Sequence, residues 1–274
     1  ALKKWIFPDL EEDFKKKPRS VYTYKDLLEM FNATTKLHGS RVAMRHLPPP
    51  GSEEPIRRFT YRQLREYAQC AAGNLRESGI VPGDRVLLMS ENCPEWGITY
   101  FGILEAGGTV VPVDEKASAD EVVKILASSR AKIAVLSERV RERLVDVTAR
   151  ATGTELGVTV RGFRDLVLRE PRTAVGAVSV PRVGDDVASL IFTSGTTGVP
   201  KGVMLSHRNF TSLLAKLVAV FNLSSRDKML SVLPLHHTFE FTAGLLMPLM
   251  RGGQITYLHE PSSEALTEAF EGGN

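Results

Sequence analysis

Short apolar, β-branched runs alternate along the chain with stretches whose apolar positions recur at helical spacing. That alternation predicts an α/β fold: parallel-rich sheets with helices on both faces. Thr60-Tyr-Arg-Gln63 has the form of a capping box, and Leu64, Ala68, Ala71 and Leu75 follow on one helical face until Gly79 stops the helix. Pro82-Gly83-Asp84 turns the chain into a strand, Arg85 to Met89. Pro94 stands where a first-turn proline belongs, opening a helix that runs towards Gly107-Gly108. Thr109 to Val113 reads as the next strand, Ser118-Ala-Asp-Glu121 as another capping box, and Lys132 to Leu136 with a helix through Arg150 as a further unit.

Two stretches interrupt the pattern. His46 to Pro55 reads as a proline-rich loop. From Ala151 to Asp186 the periodicity weakens, which suggests a boundary near residue 184: an N-terminal α/β subdomain over 1–183 and the start of a second over 184–274. Past it, the alternation predicts a strand from Val187 to Phe192, a helix from about His207, a strand from Met229 to Leu233, a helix through Met250 and a strand from Ile255 to Leu258. The chain ends at Asn274 directly after a short helical segment, and a parallel sheet stopped there would leave an open edge. The expectation is a truncated domain.

Composition adds exclusions. The 274 residues are 43% hydrophobic and 24% charged, as in globular proteins and unlike disordered chains. Thirty-five basic against 32 acidic side chains leave a net charge of +3, which argues against a nucleic-acid partner. Two cysteines, Cys70 and Cys93, make no disulfide scaffold and no zinc spacing, so a reduced, cytoplasmic compartment is the simplest expectation. The N-terminus lacks the apolar stretch of a signal peptide, and Leu213 to Phe221 is too short and carries a lysine, so no membrane span is expected. Lys15-Lys-Lys-Pro-Arg19 could make peripheral contact with anionic lipid, but Asp9, Glu11, Glu12 and Asp13 offset it and favour a solvated terminal segment.

The chemistry concentrates between Leu190 and Ser206. Between two strand-like runs lies Thr193-Ser-Gly-Thr-Thr-Gly-Val-Pro-Lys-Gly202, a loop of hydroxyls and glycines with one lysine. Glycines let the backbone approach an anion, while hydroxyls and an ammonium satisfy phosphate oxygens. A plain Ser/Thr/Gly surface turn is the alternative. A Walker A loop is disfavoured, because Pro200 precedes Lys201 and Val203-Met-Leu205 reads as a returning strand rather than a helix.

That loop, followed by Ser206-His-Arg-Asn209, closely resembles the signature of the adenylate-forming superfamily: acyl-CoA synthetases, luciferases and peptide-synthetase adenylation domains. Phe59 to Leu64, Gly83 to Val86, Glu91-Asn-Cys-Pro-Glu-Trp96, Ala106 to Val113 and Leu233-Pro-Leu-His-His237 are similar to its other N-terminal landmarks, in order. The resemblance runs from about residue 20 to the end of the chain. It implies that a carboxylic acid attacks ATP to give an acyl-adenylate and pyrophosphate, and that the thiol of coenzyme A then takes the acyl group. It also implies phosphate contacts from Thr193, Ser194, Gly195, Thr196, Thr197, Gly198 and Lys201, with Thr193 a partial Mg²⁺ ligand. Lys201 and His237 would be catalytic, and His237, Phe239 and Phe241 would line the acyl pocket.

As a bare observation, a histidine pair at a strand end is more often structural, and for most of Phe239, Phe241, Leu245, Leu246 and Leu249 a buried core face is at least as good a reading as an acyl wall. Glu240 departs from the small or aromatic residue of many family members, and His236-His-Thr-Phe-Glu-Phe-Thr-Ala-Gly244 looks most like bacterial long-chain fatty-acid ligases. The family's later motifs, Tyr-Gly-x-Thr-Glu and Thr-Gly-Asp, are absent, so the chain resembles the first half of a synthetase and is expected to be inactive alone. An acyl-carrier-protein ligase or peptide-synthetase domain remains open, as does a non-catalytic nucleotide-binding fragment.

Overall fold

Two sheets and the helices between them account for the alternation of strand and helix. The computed structural model describes residues 23–145, 157–167, 183–193, 201–260 and 262–271. It begins with α1 (Leu27–Leu37), β1 (Val42–Leu47), β2 (Arg57–Thr60), α2 (Tyr61–Glu77), β3 (Arg85–Met89) and α3 (Pro94–Ala106). There follow β4 (Thr109–Val113), α4 (Ala119–Ser129), β5 (Ile133–Leu136), α5 (Glu138–Arg143), β6 (Thr159–Gly162) and α6 (Phe163–Leu166). The last part holds β7 (Val187–Thr193), β8 (Lys201–Ser206), α7 (His207–Val220) and β9 (Lys228–Ser231). It closes with a π-helix (Glu240–Leu246), α8 (Met247–Met250), β10 (Gln254–Leu258) and α9 (Ser263–Glu271).

The larger sheet has the order β6-β5-β3-β4-β7-β8, with every neighbouring pair parallel except the β7–β8 hairpin. The smaller one has the order β2-β1-β10-β9, parallel except for the antiparallel edge strand β2. The larger sheet is covered on both faces. Val86, Leu88, Val110, Ile133 and Val135 point into one core, and Leu87, Met89, Val111, Ala134 and Leu136 into the other. This explains why its strands read as continuous apolar runs rather than alternating ones.

The first core is shared between the sheets. It joins Ala43, Met44, Ile255 and Tyr257 of the smaller sheet to α2, α3 and the π-helix. Helix α3 is buried on nearly its whole circumference, as expected of a helix apolar on all sides. Its Gly102 is where α2 comes closest: a Cβ there would lie 2.6 Å from the Cβ of Ala71 and 3.0 Å from the carbonyl oxygen of Ala68.

The capping boxes at Thr60, Ser118 and Ser206 form as the local pattern requires. The differences from expectation lie where pairing is remote. The proline-rich loop begins later than expected, because His46 and Leu47 belong to β1, where they pair with Tyr257 and Leu258 of β10. Both sheets also take strands from either side of residue 184: β7 joins β3–β6, while β9 and β10 join β1 and β2. The loss of periodicity there does not mark a division between sheets. The helix expected through Met250 is interrupted by π-helix from Glu240 to Leu246 and is α-helical again from Met247. Before that, the Met247 N–H donates to the carbonyl of Thr242, five residues back, as in a π-turn. Among the described residues no helix is long and apolar enough to cross a membrane.

Candidate functional site

In an open α/β sheet, ligands bind beyond the carboxyl ends of the strands, at the point where the strand order reverses. Here that point lies between β3 and β5, whose onward connections run to β4 and to β6 in opposite directions. The chain passes from β3 to β4 on one side and then returns across β3 to β5. The crossover helices accordingly lie on opposite faces, with α3 in the first core and α4 in the second. Met89 is level with both Val113 and Leu136, so Ser90-Glu91-Asn92, Asp114 and Ser137 emerge along one edge. Val110 is opposite Ser189 in parallel β7, so Thr193, the last residue of β7, ends on the same carboxyl side as Val113 of β4.

Thr193 and Lys201 are directly opposed across the β7–β8 hairpin and close the base of the glycine-rich loop, both with exposed side chains. Ser194, Gly195, Thr196, Thr197 and Gly198 lie outside the described residues. The helix after the hairpin begins at His207, one strand later than in a Walker A arrangement, and Ser206 caps it with its hydroxyl on the Asn209 N–H at 3.2 Å.

Above the β3 and β4 ends lies the turn from Leu233 to His237. The His237 N–H donates to the carbonyl of Pro234 at 3.0 Å, and its own carbonyl accepts from the Phe241 N–H at 3.0 Å. The His236 and His237 rings are 4.1 Å apart between centroids. His237 is exposed, whereas His236 is half-buried with its Nε2 3.8 Å from an oxygen of Asp114. Burial lowers the His236 pKa to about 4, with Asp114 opposing that shift and His237 adding to it. His236 is therefore neutral at pH 7. At 3.8 Å its approach to Asp114 is too long for a hydrogen bond and carries no ion pair.

The two phenylalanines assigned to an acyl pocket part company. Phe239 is 70% exposed, while Phe241 is buried, its ring 4.3 Å from Tyr100, 5.2 Å from Phe210 and 5.9 Å from Trp96. Tyr100 in turn shares a hydrogen bond of 2.6 Å with Ser189 of β7, so this aromatic group underlies both the hairpin and the histidine turn. Glu240 is buried at the start of the π-helix and accepts from the Ser231 hydroxyl at 2.7 Å; burial raises its pKa, with that bond opposing the shift.

Several residues at this edge were not anticipated as site residues. Asn92 appeared only within a family landmark, and its side chain reaches across to the histidine turn. Asp114 follows the last residue of β4, and Ser137 donates to Glu91 at 2.6 Å from the end of β5. A polar residue immediately after a buried strand is the signal that could have marked them. For magnesium the described residues do not suffice. Among the described residues no group of three or more His, Cys, Asp or Glu could hold a metal ion, and the single hydroxyl of Thr193 makes no octahedral site.

Comparison with known proteins agrees with this architecture. The AMP-binding enzyme family matches residues 31–272. The long-chain-fatty-acid–CoA ligase FadD13 of Mycobacterium tuberculosis is 30% identical over 208 residues, covering 76% of this chain and 41% of that protein. The 4-coumarate–CoA ligase 3 of Oryza sativa subsp. japonica is 30% identical over 221 residues, covering 77% of this chain and 39% of that one. The chain thus spans about two fifths of the length of these curated relatives. Among solved structures, the inhibitor-bound N-terminal domain of FACL13 from Mycobacterium tuberculosis superposes with a TM-score of 0.77 at 26% identity, covering 90% of this chain and 60% of that one. With its fold, its loop-bearing hairpin and nearly its whole length in agreement, this chain belongs to the AMP-binding enzyme family.

Proposed function

We propose that the chain is the N-terminal, phosphate-handling portion of an ATP-dependent acid–thiol ligase acting on a long-chain fatty acid. The observation that carries this reading is the Thr193–Lys201 pair, directly opposed across the hairpin at the base of the glycine-rich loop, at the carboxyl end of β7. In the first step a carboxylate oxygen attacks the α-phosphorus of ATP, the bond to the β-phosphate oxygen breaks, and pyrophosphate leaves with the negative charge. The Lys201 ammonium and the loop hydroxyls and N–H groups would stabilise that charge as it develops. In the second step the sulfur of coenzyme A attacks the acyl carbon, the thiol proton is lost, and AMP departs. His237, exposed on its turn, would stand against the substrate carboxylate. The fatty-acid assignment draws on the FadD13 likeness and on the run from His236 to Gly244.

Acid-dependent pyrophosphate release from ATP tests this, measured with palmitate, octanoate and an aromatic acid. It would be run on this chain and on its reading frame taken to the natural stop codon. The expectation is activity that is highest with palmitate in the longer product, none in this chain alone, and thioester formation with coenzyme A rather than with a carrier protein. Lys201→Ala in the longer product is expected to cut the rate by roughly 10²–10³, the scale seen when one preorganised charge-stabilising donor is removed. Undiminished release by that variant would reject the loop assignment. No acid-dependent release from any protein would favour the non-catalytic reading.

A further inference from the structure

The turn that carries His236 and His237 has little of its own to hold it. Val232 and Leu233 are 44% and 47% exposed, and of the residues leading to the histidines only Leu235 is buried. A turn with so little apolar burial opens readily unless hydrogen bonds hold it. Beside its own backbone bond from the His237 N–H to the Pro234 carbonyl, the bonds that tie it to the end of β3 come from one side chain. The Asn92 amide donates to the Leu233 carbonyl at 2.6 Å and to the Ser231 hydroxyl at 3.1 Å, while its oxygen accepts from the Leu235 N–H at 2.9 Å.

Asn92 leaves the end of β3 and grips the chain on both sides of Pro234, 141 and 143 residues away in sequence. Ser231 passes the network on to the Glu240 carboxylate at 2.7 Å. That carboxylate has room because residue 244 is glycine: a Cβ there would lie 2.3 Å from Glu240 Oε1. Only an amide can do this at both ends, since Asp has no donor for the Leu233 carbonyl and Leu no polar atom for either.

We propose that Asn92 is a positioning residue for the acid-activating step: its amide fixes the Leu233–His237 turn and so sets His236 and His237 over the carboxyl ends of β3 and β4. The inference rests on reading that edge as the acid-activating site, yet the clamp itself can be measured without turnover. The titratable groups facing His236 are Asp114 at the end of β4 and His237 on its own turn. An Asn92 with a merely structural role elsewhere would leave the titration of His236 alone.

The test is the imidazole nitrogen resonances of His236 followed against pH, in this chain and in Asn92→Ala. In the native protein His236 is expected to stay neutral until about pH 4. Release of the turn in Asn92→Ala would bring its midpoint up towards about 6.5, the value of a free histidine. An unchanged midpoint in a folded variant overturns the proposal. Should that variant fail to fold, amide exchange at Leu235 in the native chain decides: protection of about tenfold or more supports the clamp, and exchange at the free-peptide rate overturns it.

In the longer product, Asn92→Ala is expected to raise KM for the acid about tenfold or more while KM for ATP stays within about twofold, a misplacement effect confined to one substrate. An unchanged acid KM overturns the positioning role. Absence of adenylation by the unmodified protein rejects the proposed function instead, and leaves the titration and exchange to judge the clamp.

Discussion

Phe239 and Phe241 stand two residues apart and occupy opposite worlds, one 70% exposed and the other packed among Trp96, Tyr100 and Phe210. Phe241→Ala is expected to cost about 3–5 kcal/mol of folding stability through the cavity it leaves, whereas Phe239→Ala should change it by less than about 0.5 kcal/mol. Urea unfolding of both variants checks the contrast. Glu240 makes a second prediction at this scale. Burial raises its pKa in the folded protein, so the unfolded chain ionises first as pH rises. The stability associated with this group is therefore full below the ordinary carboxylate range and declines as pH climbs through the raised value. Glu240→Gln keeps an acceptor for Ser231 and removes the ionisation. Its stability relative to the native protein should rise between pH 4 and pH 8, and denaturant midpoints across that range would show a flat difference if the carboxyl were not held above its usual range.

At the scale of elements, what was legible is what neighbours in sequence decide. Thr60 and Gln63 are three residues apart, so their reciprocal cap was visible in the chain and forms as read. So were the strands β3, β4 and β5, whose apolar runs announce burial on both faces. The missed ends have remote partners. Val-Ala-Met-Arg-His-Leu over β1 does not alternate like a half-buried strand, and it becomes a strand because β10, two hundred residues later, pairs with it in parallel. The π-turns before Met247 were equally hidden, since the residues from Glu240 to Leu246 repeat at a spacing that an α-helix would also satisfy. Packing between elements carries its own prediction. Gly102→Ala gains about 1 kcal/mol of helix propensity, yet the new methyl would meet the Ala71 Cβ and the Ala68 carbonyl of α2. Overpacking of that kind costs about 1–3 kcal/mol, so a net loss of stability is expected, and a stabilised variant would mean that α2 can move away.

For the whole molecule, the shared core implies one cooperative unit despite two sheets. Trp96 on α3 is buried against Tyr100 and Phe241, in the core that also holds strands of both sheets. In a Trp5→Phe background, its fluorescence and the far-ultraviolet circular dichroism are expected to follow a single urea transition. Separated midpoints would show that the sheets unfold independently. The sequence by itself determined the α/β class, the caps, the loop-bearing hairpin between two strand-like runs and the family resemblance, because each depends on residue types at short, regular spacing. Only the tertiary structure decided that β1 and β10 pair, that Phe241 belongs to the core, and that Asn92 reaches the histidine turn. Those contacts join segments far apart in the chain. Their energy comes from burial and hydrogen bonds that exist only once the sheets have formed, and no local pattern of residues encodes them.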